Sequence, residues 1–339
     1  MVLESAPGIP ILLIYDIDPT WTSREREDAH RDCRRVGFAM RRHGHSVSFL
    51  PVCDPDLSAA LSEYDPQDVL VFNWCESIPG ITRSEVTVAE TLERLCFTYT
   101  GASPEALELS YEKARVKEIL ESHGVPTPRW KLFDSPREGG WSCFPAIVKP
   151  AREHCSHGVD PGAVVTGASE LRDRVAYVVD TFQQPALVED FIDGREFHVP
   201  LWGNEHVELL PPVEMDFSAF DDIHNRLCSC DAKFVPQSEA YRRIKSFVPA
   251  RLTEKEMAEI ETTAKITYEA IGCRDYGRID IRLRDGVFYV LDVNPNADIS
   301  SDASLALSAS KAGYSYGAMA SRILRLAARR HCQNLAPHQ

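Results

Sequence analysis

The stretch Gly277-Arg278-Ile279-Asp280-Ile281-Arg282-Leu283-Arg284-Asp285-Gly286-Val287-Phe288-Tyr289-Val290-Leu291-Asp292-Val293-Asn294 reads as two strands folded back on each other. A three-residue loop, Arg284-Asp285-Gly286, puts Gly286 at the left-handed position of a bulge turn. That register sets Leu283 opposite Val287, Ile281 opposite Tyr289 and Ile279 opposite Leu291, an apolar face that belongs in a core. The other face carries Arg278 opposite Asp292 and Asp280 opposite Val290. Asp280 and Asp292 are then diagonal neighbours, with Asn294 one step further along. Two carboxylates and an amide oxygen converging on one face suit Mg2+, a hard cation that takes oxygen ligands and keeps substrate phosphates in its shell. An arginine beside them can hold a phosphate or a developing oxyanion. An arbitrary hairpin of this pattern is more often a solvated polar face with an Arg–Asp pair, so the rest of the chain has to decide.

Working outward, the first third alternates strand and helix. Residues 11–15 form a buried apolar strand, and Thr22 with Glu25 makes a capping box for a helix that runs to about residue 42 before Gly44 stops it. Residues 45–50 and 68–73 are further strands, the rhythm of a parallel sheet covered by helices. No glycine follows the first strand, so a Rossmann dehydrogenase is disfavoured. Ser103-Pro104 opens a helix to about residue 123, which Gly124-Val125-Pro126 ends. Strands are expected at 130–133, 146–149, 163–166 and 186–192, with Ser169 capping a helix to about residue 181. A hairpin at 196–202 and 206–210 turns around Gly203-Asn204. Residues 216–249 show little periodicity and read as a long loop region. Thr253 and Glu256 form a second capping box, opening a helix that Gly272 ends, and the last helix covers about 316–330.

Composition narrows the class. The 339 residues carry 37 basic and 51 acidic side chains, a net charge of −14, unlike a protein that binds nucleic acid by neutralising phosphates. No apolar run reaches the roughly 18 residues of a membrane span, and the first residues lack the basic start of a signal peptide. The ten cysteines contain no Cys-x-x-Cys pair, the closest being Cys228 and Cys230, so reduced thiols in a cytoplasmic protein are expected. The run His154-Cys155-Ser156-His157 invites a zinc reading, but no further His or Cys stands at a useful spacing.

Several segments of matching order and spacing then stand along the chain. They are Tyr99-Thr100-Gly101-Ala102, Glu112-Lys113-Ala114, Pro145-Ala146-Ile147-Val148-Lys149-Pro150, and the loop Arg152-Glu153-His154-Cys155-Ser156-His157-Gly158-Val159. Val188-Glu189-Asp190-Phe191-Ile192-Asp193-Gly194-Arg195-Glu196 and Asp231-Ala232-Lys233-Phe234 follow, ahead of the hairpin. Together, from about residue 69 to 316, they resemble the ATP-grasp enzymes, and most of all the D-alanine–D-alanine ligase branch.

The resemblance implies a mixed α/β and α+β chain, the ATP-grasp fold with an N-terminal Rossmann-like domain. Its parts would be an α/β domain at 1–110, a central lid domain at 111–192 and a metal-carrying C-terminal domain at 193–339. It implies ATP and Mg2+ as cofactors, with two ions expected and Mn2+ able to substitute. Lys113 and Lys149 would neutralise nucleotide phosphates as mobile point charges, Lys149 at the end of an apolar strand. Glu189 and Glu196 would accept hydrogen bonds from adenine and ribose, with Phe191 and Ile192 against the base. Ser156 and the lid backbone would cradle the terminal phosphate, and Lys233 would approach it from a mobile loop. Arg278 would steady the transferring group and then the oxyanion, and Asp280, Asp292 and Asn294 would hold metal. Glu76 and Arg83, beside Glu85, and Asp298, Asp302 and Ser304 would line the substrate pocket.

The implied activity joins a small-molecule carboxylate to an amine through an acyl phosphate, in a cytoplasmic enzyme with no nucleic-acid or membrane partner; a homodimer is allowed. The alternatives are an ATP-grasp phosphotransferase and a non-catalytic ATP-binding regulator. The chain departs from the family pattern in four places. His154 and Cys155 replace glycine and serine, and Asp292 replaces a longer glutamate. Ile14-Tyr15-Asp16-Ile17-Asp18-Pro19 lacks the glycine-rich turn with a glutamate that grips the first ammonium. Asn294-Pro295-Asn296-Ala297-Asp298-Ile299-Ser300-Ser301-Asp302 is one residue longer and adds two carboxylates. Those charges repel an amino-acid carboxylate and favour a cationic amine, so D-alanine is not the expected substrate.

Overall fold

The computed structural model describes residues 8–81, 83–153, 156–229 and 237–331. Lys233, His154 and Cys155 lie outside the described residues.

The chain builds a first layer from β1 (Ile11–Asp16), α1 (Ser23–Arg42), β2 (Val47–Val52), α2 (Leu57–Leu61), β3 (Leu70–Trp74), α3 (Glu85–Arg94) and β4 (Thr98–Tyr99). The four strands are parallel, in the order β2-β1-β3-β4. In β1 the pleat sends Ile11, Leu13 and Tyr15 into one core and Leu12 and Ile14 into another, so the continuous apolar run is a strand buried on both faces. The capping box between Thr22 and Glu25 is present as read, and Gly44 leaves the helix end at φ 89. The order reverses between β1 and β3, and such a reversal opens a crevice at the carboxyl ends of the strands. Asp16 and Trp74 end those two strands, and Glu76 stands two residues beyond Trp74.

Two helices come next, α4 (Pro104–Tyr111) and α5 (Lys113–Ser122). The single helix expected over 103–123 is broken at Glu112, whose ψ of 73° is not helical. The N–H of Lys113 turns to the carbonyl of Ala151 at 3.3 Å instead of continuing the ladder. A tertiary partner for one amide outweighs helix propensity here, and the break starts a helix at a lysine.

A second, antiparallel sheet holds β5 (Trp130–Phe133), β6 (Ala146–Pro150), β7 (Val164–Val165) and β8 (Ala186–Asp190) in the order β5-β8-β6-β7. Helix α6 (Ala168–Phe182) covers it through Leu171, Val175 and Val178. Ser169 does not cap this helix. The N-cap is Gly167, and Glu170 reaches back to the N–H and hydroxyl of Thr166 at 2.6 and 2.9 Å.

The third sheet contains β9 (Arg195–Trp202), β10 (Glu208–Leu209), β11 (Val213–Asp216), β12 (Lys245–Phe247), β13 (Tyr276–Arg284) and β14 (Val287–Asn294). Its order is β12-β11-β9-β13-β14, with β10 beside β9. The segment read as loop over 216–249 therefore carries β12 and a short helix, α7 (Glu239–Arg243). Both are exposed and polar, which is why no hydrophobic period marked them. Helix α8 (Glu254–Ala270), opened by the Thr253–Glu256 capping box, packs Ile260, Ala264 and Tyr268 under the sheet. Two helices end the fold, α9 (Ser304–Lys311), absent from the sequence reading, and α10 (Tyr316–Ala328). Met319, Ile323 and Leu324 of α10 join Leu13, Val36 and Met40 in one core, so the end of the chain closes the first layer. Among the described residues no helix is long and apolar enough to cross a membrane, and no disulfide is present.

The hairpin register differs from the reading. The turn is two residues, Asp285 and Gly286, both at positive φ (54° and 78°), so Arg284 pairs with Val287. Such a turn matches the right-handed twist of the strands, and Asp tolerates the left-handed region. The apolar pairs are Ile279–Val293, Ile281–Val290 and Leu283–Phe288. A bulge at Leu291 then restores the phase, so Asp280 stands directly opposite Asp292 and Arg278 opposite Asn294.

Candidate active site

Two cavities meet at the polar face of this hairpin. The first lies between the second and third sheets and is lined by Lys113, Lys149, Ser156, Glu189, Phe191, Ile192, Glu196, Asp280, Arg282, Leu291 and Asp292, among others. The second lies at the carboxyl end of β3 and is lined by Trp74, Glu76, Glu85, His198, Tyr241, Arg278, Asn294, Asn296, Asp298, Asp302 and Ser304, among others.

In the first cavity, Lys149 stands at the end of β6 and reaches across to β8, where its Nζ lies 2.8 Å from Glu189 Oε2. The other oxygen of Glu189 is 2.5 Å from Lys117 Nζ, which also donates to Thr127 Oγ1 at 2.7 Å. All three ionic groups are buried. Burial alone would raise the Glu189 carboxyl, but the two lysines hold it below the usual range. Burial works on Lys149 in the opposite sense, and Glu189 and Asp292 still keep its ammonium above the ordinary value. Burial depresses Lys113 and Lys117 despite the acids near them. The Glu189 carboxylate is thus the shared counter-ion of two lysines at the wall of the first cavity. Lys113 donates to the carbonyl of Glu153, which ties the start of α5 to the lid loop.

Glu196 faces Arg282 in the sheet register, and Arg282 Nε donates to its Oε2 at 2.7 Å. His198 Nε2 stands 3.6 Å from the other oxygen. Burial would raise this carboxyl, but Arg282 and then His198 hold it far below the usual range, so it is an anion. Arg282 also donates to the Ile192 carbonyl at 2.8 Å and lies over the Phe191 ring at 4.8 Å, fixing the apolar wall. Ser156, at φ 59, donates to the Cys228 carbonyl at 3.0 Å and joins the lid loop to the segment after β11.

At the junction, Arg278 grips Asp280 with two bonds, Nε to Oδ1 at 2.7 Å and Nη2 to Oδ2 at 3.0 Å. Asn294 Nδ2 donates to the same carboxylate at 3.2 Å. Burial would lower the guanidinium, but Asp280 keeps it firmly charged. Like charges directly opposite in a sheet are destabilising. The Asp280–Asp292 pair, beside an amide and open to the first cavity, is therefore a donor set that suits a hard divalent cation.

The second cavity is acidic. Burial, with Glu85, Asp16 and Asp298 nearby, pushes the Glu76 carboxyl up to about 8. Burial likewise pushes Glu85 up to about 7, although Asn296 donates to it at 2.9 Å. Asn296 also accepts from the N–H of Ala102 at 2.8 Å, and a Cβ at Gly101, whose φ is 98°, would lie 2.4 Å from the Asn296 amide oxygen. The glycine in Tyr99-Thr100-Gly101-Ala102 is thus required for this close approach. Asp298 is exposed and accepts from the N–H and hydroxyl of Ser300 at 2.8 and 2.6 Å, and Asp302 opens to the same space. Ser304, at the start of α9, is 2.8 Å from His198 Nδ1.

Arg83 does not join this cavity. Its guanidinium pairs with Glu153 of the lid loop, from a left-handed backbone at φ 56, and so bridges two layers. Three residues of the site were missed in the sequence. Arg282 sits two positions beyond Asp280 on the same strand face, Lys117 one turn beyond Lys113 on α5, and His198 two positions beyond Glu196 on β9. Each was marked by the period of its own element.

Comparison with known proteins agrees with this architecture. The family described as D-ala D-ala ligase C-terminus matches residues 119–325. An uncharacterized protein, y4sG of Sinorhizobium fredii, is 34% identical over 310 residues, 88% of each chain. The D-alanine–D-alanine ligase of Aquifex aeolicus is 29% identical over 89% of this chain and 96% of its own. Among solved structures, the Bacillus anthracis D-alanine–D-alanine ligase complexed with ATP superposes with a TM-score of 0.74 at 20% identity. That likeness covers 96% of this chain and 99% of the other, and it extends over the whole fold.

Proposed function

Because the chain belongs to the D-alanine–D-alanine ligase family and has the ATP-grasp fold, we propose that it is an ATP-dependent carbon–nitrogen ligase that joins a carboxylate to a cationic amine other than D-alanine. One observation carries the reading: a cavity lined by lysines and an acidic cavity share the wall made by Arg278, Asp280, Asp292 and Asn294. A phosphoryl group held on the first side is then within reach of an acceptor held on the second.

In the proposed reaction a carboxylate oxygen attacks the terminal phosphorus of ATP, giving an acyl phosphate and ADP. The amine nitrogen then attacks the acyl carbon, the phosphate leaves, and an amide remains. Lys149 and Lys113 balance the nucleotide phosphates, and Glu189 keeps Lys117 and Lys149 in place. Glu196, held as an anion, accepts from ribose hydroxyls, and Phe191 and Ile192 flank the base. Asp280 and Asp292, with Asn294, would hold Mg2+, which supplies charge neutralisation at the phosphates when bound. Arg278, locked by Asp280, presents a fixed positive charge to the acyl oxygen. Ser156 and Lys233 are proposed at the terminal phosphate. The division into 1–110, 111–192 and 193–339 is kept as a proposal, noting that α5 packs with the third sheet and α10 with the first.

The acidic cavity supports the choice of amine. Glu76, Glu85, Asp298 and Asp302 line it. The raised Glu76 and Glu85 carboxyls hold protons near neutral pH, so repulsion of an amino-acid carboxylate falls to Asp298 and Asp302, while an entering ammonium group favours ionisation of Glu76 and Glu85 and pairs with them. The test is incubation of carboxylates and amines, singly and in pairs, with ATP and Mg2+ and mass analysis of products. The reading expects a product of the summed mass less one water, with equimolar ADP. Accumulation of a phosphorylated product indifferent to amine would indicate a phosphotransferase instead.

A further inference from the structure

Glu196, His198 and Cys228 come together although they lie on separate parts of the sequence. Their carboxylate oxygen, imidazole nitrogen and sulfur all lie within 4.8 Å of one another. His198 is 5% exposed, and its Nε2 is buried with no hydrogen-bond partner. Glu196 Oε1 is 3.6 Å away, beyond hydrogen-bond reach. The other ring nitrogen, Nδ1, lies 2.8 Å from the Ser304 hydroxyl, and in the tautomer whose Nδ1–H donates to that oxygen the Nε2 lone pair is available to an ion. Tetrahedral bonds of about 2.0–2.3 Å set ligand atoms roughly 3.3–3.7 Å apart, so modest side-chain movement closes the triad on one ion.

We propose that Glu196, His198 and Cys228 form a binding site for a thiophilic divalent cation, zinc in the first instance. The donor set is nitrogen, sulfur and oxygen, which suits zinc and disfavours Mg2+. Arg282 holds the carboxylate in its ionised form from the side away from His198. Glu196 and Cys228 both line the first cavity and His198 the second, so a fourth ligand comes from the first space, and the ion and the ribose hydroxyls proposed for Glu196 exclude one another. The site is separate from the oxygen-only pair Asp280–Asp292. Binding replaces the thiol proton of Cys228, which is released to solvent as the sulfur–metal bond forms.

Co2+ is the probe, titrated into the full chain under a non-thiol reductant with excess Mg2+ to fill the oxygen site. One equivalent should produce a thiolate-to-cobalt charge-transfer band and the intense visible bands of a tetrahedral site, and Zn2+ should bleach both. Cys228→Ser should abolish the charge-transfer band, and His198→Gln should weaken Co2+ binding at least tenfold. Cys228 is only partly buried, so the serine variant carries the test even if the buried histidine variant does not fold. No thiolate band in the parent chain, or a band of full intensity in Cys228→Ser, would overturn the proposal.

Discussion

At the scale of single residues, the site works by pairing buried charges unevenly. Glu189 serves two lysines, while Asp280 is shared by Arg278 and Asn294. Removing one member of a buried ionic cluster leaves its partners uncompensated, at about 3–5 kcal/mol. Glu189→Gln should therefore lower the melting temperature clearly and raise the KM for ATP, whereas a surface acid such as Glu118→Gln should do neither. Asp280→Asn should keep the fold and lose about a hundredfold or more in kcat, because Arg278 keeps a neutral hydrogen-bond partner while the cation loses a charge. Near-parental kcat in that variant at saturating substrates would refute the metal assignment. Glu76 and Glu85 give the pH dependence. Their carboxyls are raised from an ordinary 4.5 to about 8 and about 7, so the folded chain holds protons that the unfolded chain has released. Their contribution to stability is full below about pH 4.5 and is lost as the pH rises through 7 and 8. Glu76→Gln should flatten the fall in melting temperature between about pH 4.5 and pH 8 and raise the KM for the amine. An unchanged pH profile in the variant would count against a strained acidic cavity.

At the scale of elements, local chemistry decided much and tertiary contacts decided the rest. Both capping boxes, at Thr22 and Thr253, could be read because the motif lies within four residues. Thr253→Ala should cost about 1 kcal/mol by denaturant titration. The polar face of the β13–β14 hairpin could also be read, since alternation is a property of the strand alone. Its register could not. Asp285-Gly286 forms the turn by itself, and the bulge at Leu291 makes up the missing residue. A residue inserted between Leu291 and Asp292 should turn the Asp292 side chain away from Asp280 and abolish turnover, while replacement of Leu291 by Met should be tolerated; an active insertion variant would show that this phase does not position Asp292. The break at Glu112 and the Lys117–Glu189–Lys149 cluster escaped the sequence reading for one reason: their partners, the carbonyl of Ala151 and side chains on β6 and β8, are brought in by folding.

At the scale of the whole molecule, three sheets surround two cavities, and the lid loop is tied to its neighbours through side chains. Arg83–Glu153 joins it to the first layer, Lys113 to the start of α5, Gln184 and Arg174 to the second sheet and its helix, and Ser156–Cys228 to the segment after β11. Nucleotide between the second and third sheets should add backbone contacts at residues 156–159 and 223–229. Hydrogen exchange should slow in both stretches when an ATP analogue and Mg2+ are added, and equal exchange with and without them would contradict closure. The net charge of −14 is consistent with the acidic second cavity but does not select its ligand. The most direct test of the central claim is phosphate release with Mg2+ and ATP, comparing D-alanine alone with a carboxylate plus amines that carry no free carboxylate. The account predicts release that requires both partners, with a cationic amine exceeding D-alanine at least tenfold in kcat/KM. Efficient D-alanyl-D-alanine synthesis from D-alanine at millimolar concentration or below would contradict it.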